Sequence, residues 1–108
     1  MSVHLPEPLD AYFAAGNGRD IERITECFVP DARVHDEGEW REGHAEIARW
    51  AREAREKFDF TSTPLAVEGA ADEPVVTARV EGSFPGSPVE LRYRFGLKDG
   101  RIASLRIA

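Results

Sequence analysis

Residues 27–47 read CFVPDARVHDEGEWREGHAEI, and the periodicity changes twice within them. Cys27 and Phe28 complete a helical stripe begun by Ile21 and Ile24, at i, i+3, i+6 and i+7, and Pro30 ends it. Ala32 to Asp36 then alternate as a short strand, with Val34 facing one way and Arg33 and His35 the other. Glu37, Gly38 and Glu39 make a polar turn into a second strand fragment at Trp40, and Gly43 admits a third helix. Helix, strand, turn, strand and helix follow so closely that a mixed α+β domain is the natural reading. His35, Asp36 and Glu37 make the turn the first place to look for chemistry.

Toward the N-terminus, Pro6 and Pro8 hold off the first helix until about Pro8, a tolerated first helical position. Leu9, Tyr12 and Phe13 share one apolar face, and Gly16-Asn17-Gly18 ends that helix in a tight reversal. Asp20 is placed to cap the second helix. On the other side, the spacing predicts a helix from about His44 to Lys57 that buries Ile47, Trp50, Ala51, Ala54 and Phe58. Its opposite face carries the i,i+4 pairs Arg49/Glu53, Arg52/Glu56 and Glu53/Lys57, each worth only a few tenths of a kcal/mol, about what a solvated helix face gives.

Beyond Phe58 the pattern becomes one of strands, over 60–69, 74–83, 88–97 and 101–107. Val76, Ala78 and Val80 alternate with Thr77, Arg79 and Glu81, as do Leu91, Tyr93 and Phe95 with Arg92 and Arg94. Asp99-Gly100 is the sharpest hairpin signal, so the last three strands form a meander. Three helices followed by a curved antiparallel sheet give an α+β fold with the helices on one face. The long helix laid in a bent sheet leaves an open end where a small-molecule pocket would form.

The whole of residues 1–108 reads as one domain, large enough to fold without a metal or disulfide framework. Twenty acidic against 14 basic residues leave a net charge of -6, which disfavours nucleic acid as a partner. The single Cys27 can form no internal disulfide and offers no zinc set. MSVHLPEPLD lacks the charged and apolar regions of a signal peptide, and no apolar run is long enough for a membrane, so a cytoplasmic location is expected.

The segments YFAAGNGRDIERITECFVPDARVHDEG, WREGHAEI and KDGRIASLRI resemble the signature segments of the NTF2-like superfamily, and within it the SnoaL-like, ketosteroid-isomerase-like group. The resemblance runs from about Leu5 to Ile107. It implies a cone-shaped fold with a deep pocket, and often a homodimer formed through the sheet. Activities in the superfamily include isomerases, cyclases, dehydratases and epoxide hydrolases, beside members with none. Ketosteroid isomerase itself pairs an Asp general base with an oxyanion hole made by a Tyr and a protonated Asp. By the same resemblance Asp36 falls at the base and Tyr12 at the oxyanion tyrosine. No carboxyl group matches the protonated acid, because the corresponding strand reads Leu91-Arg92-Tyr93-Arg94.

The resemblance therefore implies a cofactor-independent isomerase or lyase acting on a small hydrophobic carbonyl compound, with Asp36 and Tyr12 as catalytic residues. Two other readings share the fold: a non-catalytic module for a small ligand, and a dimeric interaction protein whose pocket is filled. Trp40, Phe13, Trp50, Tyr93 and Phe95 are the candidates for pocket walls, and Tyr93 is a second candidate hydrogen-bond donor. His35 should point away from Asp36, because neighbouring strand residues face opposite sides. His4 and His44 lie on unrelated elements, so no metal is expected, and the reading implies no cofactor. Arg79, Arg92 and Arg94 fall on the strand face away from the core, where a dimer surface would lie.

Overall fold

The computed structural model describes residues 3–108. Helix α1 spans Glu7–Asn17 and α2 spans Ile21–Glu26; strands β1 (Phe28–Asp36) and β2 (Glu39–Glu42) follow, then helix α3 (His44–Phe58). Strands β3 (Thr61–Ala70), β4 (Glu73–Glu81), β5 (Val89–Lys98) and β6 (Arg101–Ile107) complete the chain. All six strands join one sheet in the order β2-β1-β6-β5-β4-β3. Every pairing is antiparallel except β1 with β6, which is parallel. The sheet is therefore mixed rather than wholly antiparallel, because β1 is separated from β6 by the rest of the fold and returns to pair with the last strand.

Two boundaries differ from the pattern reading. Phe28 opens β1 instead of closing α2, and Pro30 sits inside that strand, which shifts register between Phe28 and Arg33. A proline is tolerated there because the irregularity leaves its missing N–H unneeded. Helix α1 also continues through Gly16 to Asn17, and the reversal is made by Arg19 in a left-handed conformation at φ +59°. Asp20 caps α2 as expected, its carboxylate accepting from the Arg23 N–H at 3.1 Å.

The core lies between the helices and one face of the sheet. Leu9 and Tyr12 from α1, Ile24 from α2, and Ile47, Trp50 and Ala51 from α3 meet Phe28 and Val34 from β1, Val76 and Ala78 from β4, Tyr93 and Phe95 from β5, and Ile102 and Leu105 from β6. Their alternate neighbours Arg33, Arg79, Arg92, Arg94 and Arg106 are exposed on the other face. No described helix is long and apolar enough to cross a membrane.

Candidate active site

Asp36 is the last residue of β1, and a two-residue turn pairs it across to Glu39. Glu37 and Gly38 both have positive φ, +53° and +77°, the conformation of a type I′ hairpin. Since Val34 faces the core, Asp36 two residues on faces the same way, and His35 points outward. Trp50, buried on α3, donates its indole N–H to Asp36 Oδ2 at 3.0 Å. The carboxylate is thus held by the hairpin on one side and the long helix on the other.

It borders a cavity of about 200 Å³ between α3 and the sheet. Tyr12 and Tyr93 contribute the phenols of its wall. Trp50, Phe58, Phe60, Phe84 and Leu91 are among its apolar walls, and Glu37 lies at its rim. Burial raises the Asp36 pKa above the ordinary carboxylate value, and the neighbouring Glu37 charge adds to this. The Trp50 hydrogen bond, a main-chain bond at Glu37 and the Arg41 charge pull the other way. Both tyrosines are also raised above the ordinary phenol value by burial, so both keep their protons as donors. The Tyr93 hydroxyl shares a hydrogen bond of 3.1 Å with Ser62 Oγ. Ser62 is fixed in turn by Asn17, whose side chain donates to its carbonyl and accepts from its N–H, each at 2.8 Å.

Three of the expected wall residues lie elsewhere. Trp40 pairs with His35 across the hairpin and so faces outward, 47% exposed, with its ring 4.8 Å from the imidazole and the Arg33 guanidinium carbon 4.2 Å above it. Phe13 and Phe95 pack edge-on against the tyrosines from within the core, Phe13 at 5.1 Å from Tyr93 and Phe95 at 5.8 Å from Tyr12, and do not line the cavity. Tyr12, Asp36, Trp50 and Tyr93 do line it. His44 donates to or accepts from nothing in the cavity; its Nε2 meets the Phe28 carbonyl at 2.9 Å. Among the described residues no group of three or more His, Cys, Asp or Glu could hold a metal ion.

One residue escaped the pattern reading. Arg55 is only 7% exposed, inside α3's apolar stripe, one turn after Ala51. Its Nε donates to the Gly16 carbonyl and its Nη1 to the Ala51 carbonyl, both at 3.1 Å. The guanidinium carbon lies 4.8 Å from the centre of the Phe60 ring. An arginine at a core position of an otherwise amphipathic helix was the available signal.

Against known proteins, the profile of the SnoaL-like domain matches residues 9–105. The chain belongs to the SnoaL-like family. A Sinorhizobium meliloti protein proposed to be a polyketide cyclase is 42% identical, with 96% of this chain covering 95% of that one at a TM-score of 0.93. A Catenulispora acidiphila protein with a ketosteroid isomerase-like fold, solved with trimethylamine, is 20% identical over 97% of this chain and 86% of its own, at a TM-score of 0.86. TerC, co-crystallised with polyporic acid, is 22% identical over 94% and 88%, at 0.81. These last two likenesses bear on fold, and they bear out an NTF2-like α+β architecture for this SnoaL-like protein. No curated protein matches it.

Proposed function

We propose that this SnoaL-like protein is a small cofactor-independent isomerase or lyase, of the cyclase and isomerase type, that removes a proton next to a carbonyl. The observation that carries the reading is a base and two phenols on one apolar cavity: Asp36, held by Trp50, with Tyr12 and Tyr93. The carboxylate takes the proton from carbon, and the electron pair moves into the carbonyl to give an enolate. Tyr12 donates to the enolate oxygen, and Tyr93 donates when Ser62 supplies its own hydroxyl proton to the Tyr93 oxygen. Protonated Asp36 returns the proton to another carbon, or the enolate expels a leaving group. A raised pKa suits this work, since a base nearer the working pH transfers protons in both directions.

The relative from S. meliloti, proposed to be a polyketide cyclase, supports a carbonyl substrate. The cavity has room for roughly seven groups the size of a water molecule, at about 30 Å³ each, which favours a single-ring or short-chain compound. The exposed Trp40 and the arginines of the outer sheet face support a homodimer through that face.

Proton–deuterium exchange at the α-carbon of small cyclic ketones and 1,3-diketones, followed by NMR, tests the reading. Asp36→Asn should lower the enzyme-dependent exchange by about 100-fold or more while ligand affinity stays within a few fold. Exchange that survives Asp36→Asn unchanged would mean that Asp36 is not the base.

A further inference from the structure

We infer that Arg55 is a positioning residue that keeps the phenol end of the cavity positive, so that the pocket prefers a small acid in its anionic form, an enolate or phenolate, over a neutral ketone. This deepens the proposed function and rests on that site reading.

Arg55 is buried in an unusual way for an arginine, at 7% exposure. A charge taken out of water ordinarily brings an opposite charge with it, because desolvation otherwise goes uncompensated. Among the described residues Arg55 has no carboxylate within salt-bridge distance; its bonded acceptors are the neutral carbonyls of Gly16 and Ala51. Carbonyls orient a guanidinium without neutralising it. No ion pair at contact distance among the described residues takes up the positive charge, and toward the cavity, where protein rather than water lies between, its field reaches farther than it would in water.

Its surroundings give that field a direction. Gly16 stands one helical turn after Tyr12 on the same face of α1, so the bond to the Gly16 carbonyl anchors the guanidinium to the helix that carries Tyr12. Phe60, under the guanidinium, is itself a wall of the cavity. On the cavity side the charged or titratable groups are Tyr12 from α1, Tyr93 from β5, Asp36 from β1 and Glu37 from the turn after it. Arg55 does not itself line the cavity: it borders the surface groove on the other side, with Arg19, Arg52, Glu56 and Asp59, and there Asp59 pairs with Arg19. The cation thus stands on the Phe60 side of the cavity, and among the described residues the carboxylates that line it, Asp36 and Glu37, lie at the hairpin end.

The backbone has also been shaped to admit this side chain. A Cβ at Gly16 would stand 2.5 Å from Arg55 Nη2, so α1 carries a glycine inside the helix where alanine would otherwise serve better. Both Tyr12 and Tyr93 feel Arg55 as an influence opposing their burial.

The test uses 4-nitrophenol, whose phenolate absorbs separately from its phenol, and reads the apparent pKa of the bound probe by absorbance. Removing the charge by Arg55→Met, or by Arg55→Gln with one donor kept, should raise that pKa by about one unit, a tenfold loss of preference for the phenolate. Arg55→Lys, which restores a cation, should return it to within about threefold of the wild-type preference. A structural arginine would instead lower the melting temperature in all three variants with no change in the probe's ionisation. That result, or failure of the wild-type protein to bind the probe, overturns the inference. If Arg55→Met does not fold, the Gln and Lys pair decides. Because nothing turns over, an inactive protein that still favours the phenolate would sink the catalytic reading and leave this one standing.

Discussion

Asp36 is a carboxylate placed where its charge is a liability to folding. Burial raises its pKa, so the native protein holds the proton more tightly than the unfolded chain does. The stability associated with this group is fully present below the unfolded value and is lost as pH rises through the raised native value. Asp36→Asn should therefore melt higher than wild type at about pH 7, with the gap closing near about pH 3, where the wild-type carboxyl is already neutral. Thermal unfolding at the two pH values checks this, and a variant less stable at neutral pH would count against a desolvated carboxylate. Trp50→Phe keeps an apolar ring and deletes the N–H that reaches Oδ2 at 3.0 Å. It should cost on the order of 1 kcal/mol in urea unfolding and push the Asp36 pKa higher still, since the lost bond favoured the charged form. An Asp36 titration that moves downward in Trp50→Phe, read by carboxyl NMR, would contradict that assignment.

At the scale of elements, α1 and α3 are coupled through Gly16 and Arg55. Alanine is the better helix residue by about 0.5–1 kcal/mol, yet Gly16→Ala should destabilise by about 1–3 kcal/mol because its Cβ overpacks the guanidinium. In an Arg55→Met background the same change should be neutral or stabilising, and equal effects in both backgrounds would show that the two residues do not interact. The sequence carried α3 well, since an apolar stripe repeated through Ile47, Trp50, Ala51 and Ala54 has no other satisfactory reading. The Asp99-Gly100 hairpin was equally legible, as both residues adopt the positive φ that such a turn needs. The end of α2 was not, because Phe28 fits a helical stripe and a strand equally well and only pairing with β6 decides between them. Likewise the strand rule placed Asp36 inward and His35 outward. Trp40 was misplaced because its facing depends on a two-residue turn that sets the cross-strand partner. Phe13 and Phe95 differ from Tyr12 and Tyr93 only in depth, which periodicity does not resolve. Arg55 was hidden among the charges of α3 because pattern separates faces, while its burial comes from a notch on another helix.

At the scale of the whole molecule, one sheet serves two surfaces. Its inner face meets the helices and borders a cavity, and its outer face presents Arg33, Trp40, Arg92, Arg94 and Arg106. If that outer face joins two copies, light scattering should give twice the 12.0 kDa chain mass, and Trp40→Ala should shift the protein toward monomer by about tenfold or more in dissociation constant. A wild-type monomer at micromolar concentration would contradict the proposed dimer and leave the cavity untouched. The cavity's own claim is that one desolvated carboxylate moves the proton, and the pH dependence of α-proton exchange addresses it most directly. The wild-type rate should rise with pH along a single acid limb, centred above the ordinary carboxylate value, and Asp36→Asn should show no such limb. A flat profile, or the same limb in the variant, would mean that Asp36 is not the base.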